Sequence, residues 1–171
     1  ICNGQTDHLI ETGIDLYKLP LQEKKDILCS CIYGIDIDIH AVEVAKFSLL
    51  IKLIEDETAP SVSEVVPILP DLGDNIQFGN SLVSQTELNG ISGANRQMME
   101  IAPFDWSTIN NGCGFDVIIG NPPYVNTEGM HALLPSAEVE VYKKKYKTSH
   151  KQFDKYFIFI EQAINKINEN G

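Results

Sequence analysis

The sequence lacks a long apolar run. No stretch is long enough to span a bilayer, and no secretory signal is visible at its start. Cysteine is also scarce. The four cysteines include one close pair, Cys29 and Cys31, whose spacing is not usual for zinc ligands, and no second pair completes a set of four. We therefore expect reduced thiols, no metal site, no membrane contact and a cytoplasmic location.

Positive charge is rare over most of the chain. The net charge is −11 over 171 residues, which argues against a protein that binds nucleic acid over its whole surface. Residues 1–140 hold 6 Lys and Arg against 21 Asp and Glu, whereas residues 141–171 hold 7 against 3. The basic residues concentrate at 142–151, where they alternate with tyrosines. This composition suits phosphate contact, and a solvated loop is the competing interpretation.

A nucleotide-type half-site is predicted near residue 36. Ile32, Ile35 and Ile37 predict a strand at 32–37. Apolar residues recur every three to four residues at 39–57, which predicts an amphipathic helix. Asp36 lies between them. A carboxylate in such a place can accept hydrogen bonds from both ribose hydroxyls of a nucleotide. A turn carboxylate without a ligand is the alternative.

The other elements are more weakly patterned. The hydrophobic content of 43% is sufficient for one domain with a core. In chain order we predict helices at 7–17 and 21–31, a strand at 76–79 leading into a turn at Asn80, an irregular segment at 84–112 and an amphipathic helix at 153–169.

The most informative stretch is a predicted strand at 115–120 followed by Asn-Pro-Pro-Tyr. The apolar run predicts a strand that is buried on both faces. The two prolines then remove two N–H donors and favour extended geometry. Asn121 therefore offers an amide and a carbonyl without ladder partners, and Tyr124 offers a flat ring, at the strand end where open α/β sheets bind ligands. A proline-rich loop with Tyr124 packed inside is the alternative.

The four residues Asn121, Pro122, Pro123 and Tyr124, called the motif turn below, carry a resemblance. They resemble the Asn-Pro-Pro-Tyr motif of S-adenosylmethionine-dependent amino-methyltransferases, above all the N6-adenine-specific DNA methyltransferases. The resemblance implies that the motif turn is catalytic. The Asn121 amide oxygen and the Pro122 carbonyl would accept the two hydrogens of the adenine amino group. Tyr124 would stack on an adenine flipped out of double-stranded DNA.

The same resemblance implies a cofactor site for S-adenosylmethionine. Asp36 would bind the ribose, Ile37 would lie against the adenine ring and Asn80 would bond the adenine amino group. Asn80 is the weaker assignment, because Gly-Asn-Ser is also ordinary turn chemistry.

The implied fold class is α/β. Residues 1–171 would be part of a Rossmann-like methyltransferase catalytic domain, with a mostly parallel sheet flanked by helices. Its parts would be the ribose half-site at 32–57, the adenine-side turn at 76–82, the catalytic strand and turn at 115–124 and the following helix at 153–169.

The Gly-rich cofactor loop of that family is absent. Gly112-Cys113-Gly114 leads into a predicted strand and not a helix, so it does not match. We therefore expect the loop to lie before Ile1, the domain to be truncated at both ends and the isolated fragment to be inactive. The similarity is closest to type IIG-like methylases of bacterial restriction–modification systems, whose remaining regions provide nuclease and specificity functions.

Two other functions are considered. Enzymes that methylate glutamine in release factors also carry Asn-Pro-Pro-Tyr, but the 40 residues between Asn80 and Asn121 exceed their usual compact connection. A non-catalytic binding module derived from a methyltransferase is the second alternative. Cytosine-C5 methylation is disfavoured, because it needs a Cys nucleophile after a Pro and the sequence has no such pair.

Overall fold

A computed structural model describes residues 9–13, 16–63, 65–169 and 171. The chain divides into two compact units. Unit 1 comprises the described residues up to Gly34 together with His40–Gln77, and unit 2 comprises Ile35–Ile39 together with Phe78–Gly171. Within the described ranges, no helix is long and apolar enough to cross a membrane.

An antiparallel hairpin opens the described part of unit 1. Its strands are β1 (Ile10–Gly13) and β2 (Leu16–Lys18). The prediction of a helix at 7–17 is wrong over these two strands, and residues 7–8 and 14–15 lie outside the described ones. Strands this short pair locally, so their sequence carries too little alternation to distinguish them from a helical turn.

Helices complete unit 1. They are α1 (Leu21–Cys31), α2 (Ile39–Ile54, from His40 onward in this unit) and α3 (Ala59–Ser63). The helix predicted at 21–31 is confirmed, and the helix predicted at 39–57 is confirmed with an earlier end. The helices pack around a small apolar core made of Leu21, Leu28, Val42, Leu53, Val65, Leu72 and Ile76.

Two short strands, β3 (Gly34–Asp36) and β4 (Ile76–Phe78), form a second sheet. The Gly34 N–H donates to the Asn75 carbonyl at 2.9 Å, and the Gly79 N–H donates to the Asp36 carbonyl at 2.9 Å. This is the hydrogen-bond pattern of a parallel pair. The strands predicted at 32–37 and 76–79 are therefore present in shorter form.

Unit 2 is mainly helical. Its helices are α4 (Gln85–Leu88), α5 (Ala94–Ile101), α6 (Thr127–Leu133), α7 (Ser136–Lys145) and α8 (Lys155–Lys166). Side chains cap several of them: Ser84 and Glu87 form a capping box on α4, Asn126 caps α6 and Asp154 caps α8. The segment predicted as irregular at 84–112 therefore contains helices, and α8 confirms the helix predicted at 153–169.

The core of unit 2 is larger than that of unit 1. It consists of Leu82, Val83, Leu88, Ile91, Ala94, Ile101, Met130, Ala137, Val139, Val141, Tyr142, Tyr146, Phe153 and Ile158. Four of these residues lie on α7, more than on any other helix, and Ile158 of α8 packs with them.

The strand predicted at 115–120 is wrong. Phe115 makes an isolated parallel bridge with Ile167, and no strand follows it in the described part of the chain. Val117 is 72% exposed and Ile119 is 92% exposed, so the apolar run is not buried. A strand needs backbone partners along its length, and beyond Asp116 the described residues supply none to this segment.

The fold class is mixed α/β. Each sheet that the described residues form has two strands. The mostly parallel, Rossmann-like sheet therefore stays a prediction.

Candidate active site

The motif turn lies at the surface. Asn121, Pro123 and Tyr124 are exposed and Pro122 is half-buried. The prolines have no N–H to donate. Within the described ranges, the Asn121 side chain makes no hydrogen bond, so its amide is available to a ligand.

The residues directly after the motif turn are tied to the start of α8. The Lys155 N–H donates to the Val125 carbonyl at 2.8 Å, and the Val125 N–H donates to Asp154 Oδ1 at 3.2 Å. Thr127 Oγ1 both accepts from the Phe153 N–H and donates to the Phe153 carbonyl, each at 2.8 Å. Four hydrogen bonds thus position the chain beside Tyr124, although the turn itself has few contacts.

A row of aromatic rings extends the motif turn. The Tyr124 ring stacks on Tyr156, with ring centroids 6.1 Å apart and planes at 27°. Tyr156 contacts Phe157 at 5.0 Å. Tyr124 is nevertheless 81% exposed, so most of its surface remains open to a planar ligand. The alternative in which Tyr124 packs inside is therefore wrong.

An open cavity of about 340 Å³ lies beside this row. Its walls come from the start of α6 and from the segment before α8. The lining residues are Asn126, Thr127, Glu128, Gln152, Phe153, Asp154 and Phe157.

The predicted cofactor residues lie at the ends of β3 and β4. Asp36 is exposed, and its Oδ1 accepts the Asp38 N–H at 2.8 Å. Ile37 is 51% exposed. The hydrogen bond between Gly79 and the Asp36 carbonyl places Asn80 at the same sheet edge. An exposed carboxylate and an exposed apolar side chain at one edge fit the ribose and the adenine ring of a nucleoside in chemical type.

Asn80 differs from Asp36 because it is 4% exposed. Its Nδ2 donates to Glu138 Oε1 at 3.0 Å, and its Oδ1 accepts the Leu82 N–H at 3.1 Å. These partners fix the orientation of the Asn80 amide. The reversed orientation would place Oδ1 against the Glu138 carboxylate and Nδ2 against the Leu82 N–H. The second N–H of Nδ2 is directed to the Tyr142 hydroxyl, and the second lone pair of Oδ1 is not used by these bonds. The prediction that Asn80 binds the cofactor is not tested by this geometry.

Glu138 belongs to a buried polar cluster that the sequence analysis missed. It also accepts from the Tyr142 hydroxyl and from Lys155 Nζ, the latter at 3.2 Å. Burial raises the pKa of Tyr142, and the neighbouring Glu138 charge raises it further, so the hydroxyl stays a donor. An acidic residue between Ala137 and Val139, one helical turn before Tyr142, is the signal that could have identified this cluster.

The basic segment at 142–151 combines buried tyrosines with basic side chains that are either paired or exposed. Tyr142 and Tyr146 are 0% and 3% exposed, so the tyrosines belong to the core and do not alternate with lysines on a binding surface. Lys144 pairs with Glu140, and Lys145 pairs with Glu87. The remaining basic side chains are exposed: Lys143, which contacts His131, together with Lys147, His150 and Lys151.

No hydrogen bond joins the motif turn directly to Asp36, Ile37 or Asn80 in the described part of the chain. The connection runs instead through Lys155. Its main-chain N–H holds Val125, and its ammonium group binds the same Glu138 oxygen as Asn80.

Curated relatives are longer than this chain. It is 47% identical over 155 residues to the type II restriction enzyme and methyltransferase RM.Eco57I of Escherichia coli, covering 91% of this chain and 15% of that protein. It is 37% identical over 82 residues to the putative type II restriction enzyme and methyltransferase RM.MjaORFECS2P of Methanocaldococcus jannaschii, covering 48% and 7%. It is 35% identical over 57 residues to the type II methyltransferase M.PaeR7I of Pseudomonas aeruginosa, covering 33% and 9%.

No solved structure matches the chain. The Eco57I restriction-modification methylase family matches residues 30–171, which include the ends of β3 and β4, the motif turn and α8. The chain therefore belongs to the Eco57I restriction-modification methylase family.

Proposed function

We propose that the full-length protein transfers a methyl group from S-adenosylmethionine to N6 of adenine in double-stranded DNA, within a restriction–modification system. The observation that carries this proposal is the exposed motif turn, tethered to α8, in a chain of this methylase family. The relatives named above are restriction enzymes and methyltransferases or type II methyltransferases, which supports DNA as the substrate. A DNA substrate would place the protein in the bacterial cytoplasm, where nuclease and specificity regions would accompany this domain.

The motif turn supplies hydrogen-bond acceptors. The exocyclic nitrogen of adenine is a poor nucleophile, because its lone pair is delocalised into the ring. The Asn121 amide oxygen and the Pro122 carbonyl would accept its two hydrogens and localise that lone pair. Acceptors held in place before the reaction stabilise the charge that develops on the nitrogen.

Tyr124 supplies a platform for a flipped base. Removing a base from the duplex stack costs a few kcal/mol, and stacking on an aromatic ring returns about 1–3 kcal/mol. Tyr156 supports one side of Tyr124, which would orient its ring before the base arrives.

The ends of β3 and β4 would hold S-adenosylmethionine, which supplies an electrophilic methyl group when bound. Asp36 would accept hydrogen bonds from the ribose, Ile37 would cover the adenine ring and Asn80 Oδ1 would accept from the adenine amino group. The exposure of Asp36 and Ile37 supports their part in this assignment.

The test uses the full-length protein with a DNA substrate and S-adenosylmethionine. Digestion of the DNA and mass spectrometry of its nucleosides should give N6-methyladenine. Asn121→Ala should lower the single-turnover rate by about 10²–10³-fold, the typical effect of losing one preorganised hydrogen bond at a reacting atom. Asn95→Ala, an exposed asparagine of α5, is the matched control. If Asn121→Ala methylates DNA at the control rate, Asn121 has no catalytic role and the motif turn is only structural.

A further inference from the structure

A single buried carboxylate, Glu138, joins three segments of unit 2. Its Oε1 accepts from Asn80 Nδ2 at 3.0 Å, from Lys155 Nζ at 3.2 Å and from the Tyr142 hydroxyl. Glu138 is 2% exposed and Lys155 is 8% exposed. The Glu138 carboxylate and the Lys155 ammonium group therefore balance each other's charge, because water does not reach them.

Stability alone does not explain this choice of residues. Burying two charges carries a large desolvation cost for each ion, and apolar residues of similar volume often stabilise a core equally well or better. Removing only one partner is strongly destabilising, because the other charge is left buried without compensation. An ion pair of this kind does, however, fix the relative position of the segments that carry it.

The segments that meet at Glu138 are those of the candidate active site. Asn80 ends the turn after β4, where the cofactor site is proposed. Lys155 begins α8, and its N–H holds Val125, the residue that follows the motif turn. Glu138 itself lies on α7 and reaches both.

We propose that Glu138 is a positioning residue that sets the motif turn relative to the Asn80 turn, and thereby aligns the target nitrogen with the methyl group. This inference rests on the proposed methyltransferase function. Glu138 acts through Asn80 and Lys155 and does not touch either substrate. A displacement of about 1 Å between reacting groups can cost about 100-fold in rate without preventing binding.

The first test is Glu138→Gln in the full-length protein, studied by single-turnover methyl transfer with saturating DNA and S-adenosylmethionine. We expect the rate constant to fall by about 10–100-fold. Binding of S-adenosylhomocysteine, and fluorescence of 2-aminopurine at the target position, should change by less than about threefold, because both ligands keep their contacting residues. Glu140→Gln is the matched control, since it makes the same substitution on the exposed side of α7.

Single-turnover data separate positioning from folding. A folding defect lowers the amplitude, because fewer molecules are active, whereas misalignment lowers the rate constant of the active molecules. An unchanged rate constant with a lower amplitude would therefore overturn the proposal.

A second variant removes the ion pair without leaving a buried charge. Glu138→Leu combined with Lys155→Met keeps the Lys155 main-chain N–H, but Asn80 and Tyr142 lose an acceptor. We therefore expect a thermal midpoint below that of the wild type but above that of Glu138→Leu alone, which leaves the Lys155 charge buried without a partner. The rate constant of the double variant should remain as low as that of Glu138→Gln, and this variant carries the test if Glu138→Gln does not fold. A wild-type rate constant in the double variant would overturn the positioning role. Absence of methyl transfer by the wild type would overturn the proposed function and this inference together.

Discussion

At the scale of single residues, Asn121 and Tyr124 lie in the same turn but have different proposed roles. The Asn121 amide has no partner among the described residues, whereas the Tyr124 ring already stacks on Tyr156. An acceptor matters most as the nitrogen becomes nucleophilic, and a platform matters as soon as the base leaves the duplex. Substitutions of the two residues should therefore affect different steps.

For Tyr124→Ala we expect weaker capture of the flipped base, by about 1–3 kcal/mol, because a stacking surface is lost. Tyr124→Phe keeps the ring and should retain most of the activity. Fluorescence of 2-aminopurine at the target position reports capture, and single-turnover transfer reports the rate. Equal fluorescence in Tyr124→Ala and the wild type would show that the ring does not hold the base.

At the scale of elements, periodicity predicted the long helices α2 and α8 and the short strands β3 and β4. Periodicity predicted that these elements form, but it did not predict which side chains they bury. In α8, Phe157, Ile160 and Ile164 are exposed. Its buried residues are Lys155, Ile158 and Gln162. The run Val117–Ile119 has the composition of a buried strand but is exposed, because burial depends on a partner that its own sequence does not encode. Tyr142 of α7 and Tyr146, the residue after α7, were predicted to lie on a binding surface because their neighbours are lysines. Their spacing of four residues instead places both rings in the core.

In the candidate site, too, local features could be predicted from the sequence and long-range contacts could not. Its residue types could be identified from the sequence, because the motif turn and the strand ends are contiguous. The tether from Val125 to Lys155 and the cluster around Glu138 could not be predicted, since both depend on contacts between segments far apart in the chain.

A pH-dependent prediction concerns Glu161 on α8. Burial raises the pKa of Glu161, but hydrogen bonds from the Thr148 and Lys147 N–H groups and the Thr148 hydroxyl outweigh it and hold this pKa below its ordinary value. A lowered folded pKa contributes stability that is present above the unfolded pKa, about 4.3, and is lost as the pH falls through the folded value. Glu161→Gln should therefore loosen the chain after α7 at pH 7 and have little effect near pH 3.

Hydrogen exchange of the peptide that contains Lys147 and Thr148, in the full-length protein, measures this effect. The variant should exchange about fivefold faster than the wild type at pH 7, which corresponds to about 1 kcal/mol. The ratio of the two rates should approach one as the pH falls below about 4. Glu169→Gln, an exposed glutamate beyond α8, is the control. A ratio that does not change with pH would contradict the assigned role of the carboxylate.

At the scale of the whole molecule, the uneven charge decides where DNA can lie. The net charge of −11 repels a polyanion from most of the surface. Basic residues after position 140 form the exception, although several of them are already engaged. Lys143 contacts His131, and Lys144 and Lys145 are in ion pairs. Lys155 is buried and Lys166 lies over the Trp106 ring.

Lys147 and Lys151 therefore remain as candidates for phosphate contact, since both are exposed. Each contact with a phosphate releases counterions, so the logarithm of the DNA affinity falls with the logarithm of salt concentration by about 0.9 for each contact. Replacing both with Gln in the full-length protein should reduce this slope by about 1 for each lysine, and should weaken binding to specific and non-specific DNA alike. Lys52→Gln, an exposed lysine of α2 in unit 1, should leave the slope unchanged. Fluorescence anisotropy of labelled duplexes over a range of salt concentrations measures the slopes. A double variant with the wild-type slope would show that the exposed lysines after α7 are a solvated surface, and that the DNA backbone is held elsewhere in the full-length protein.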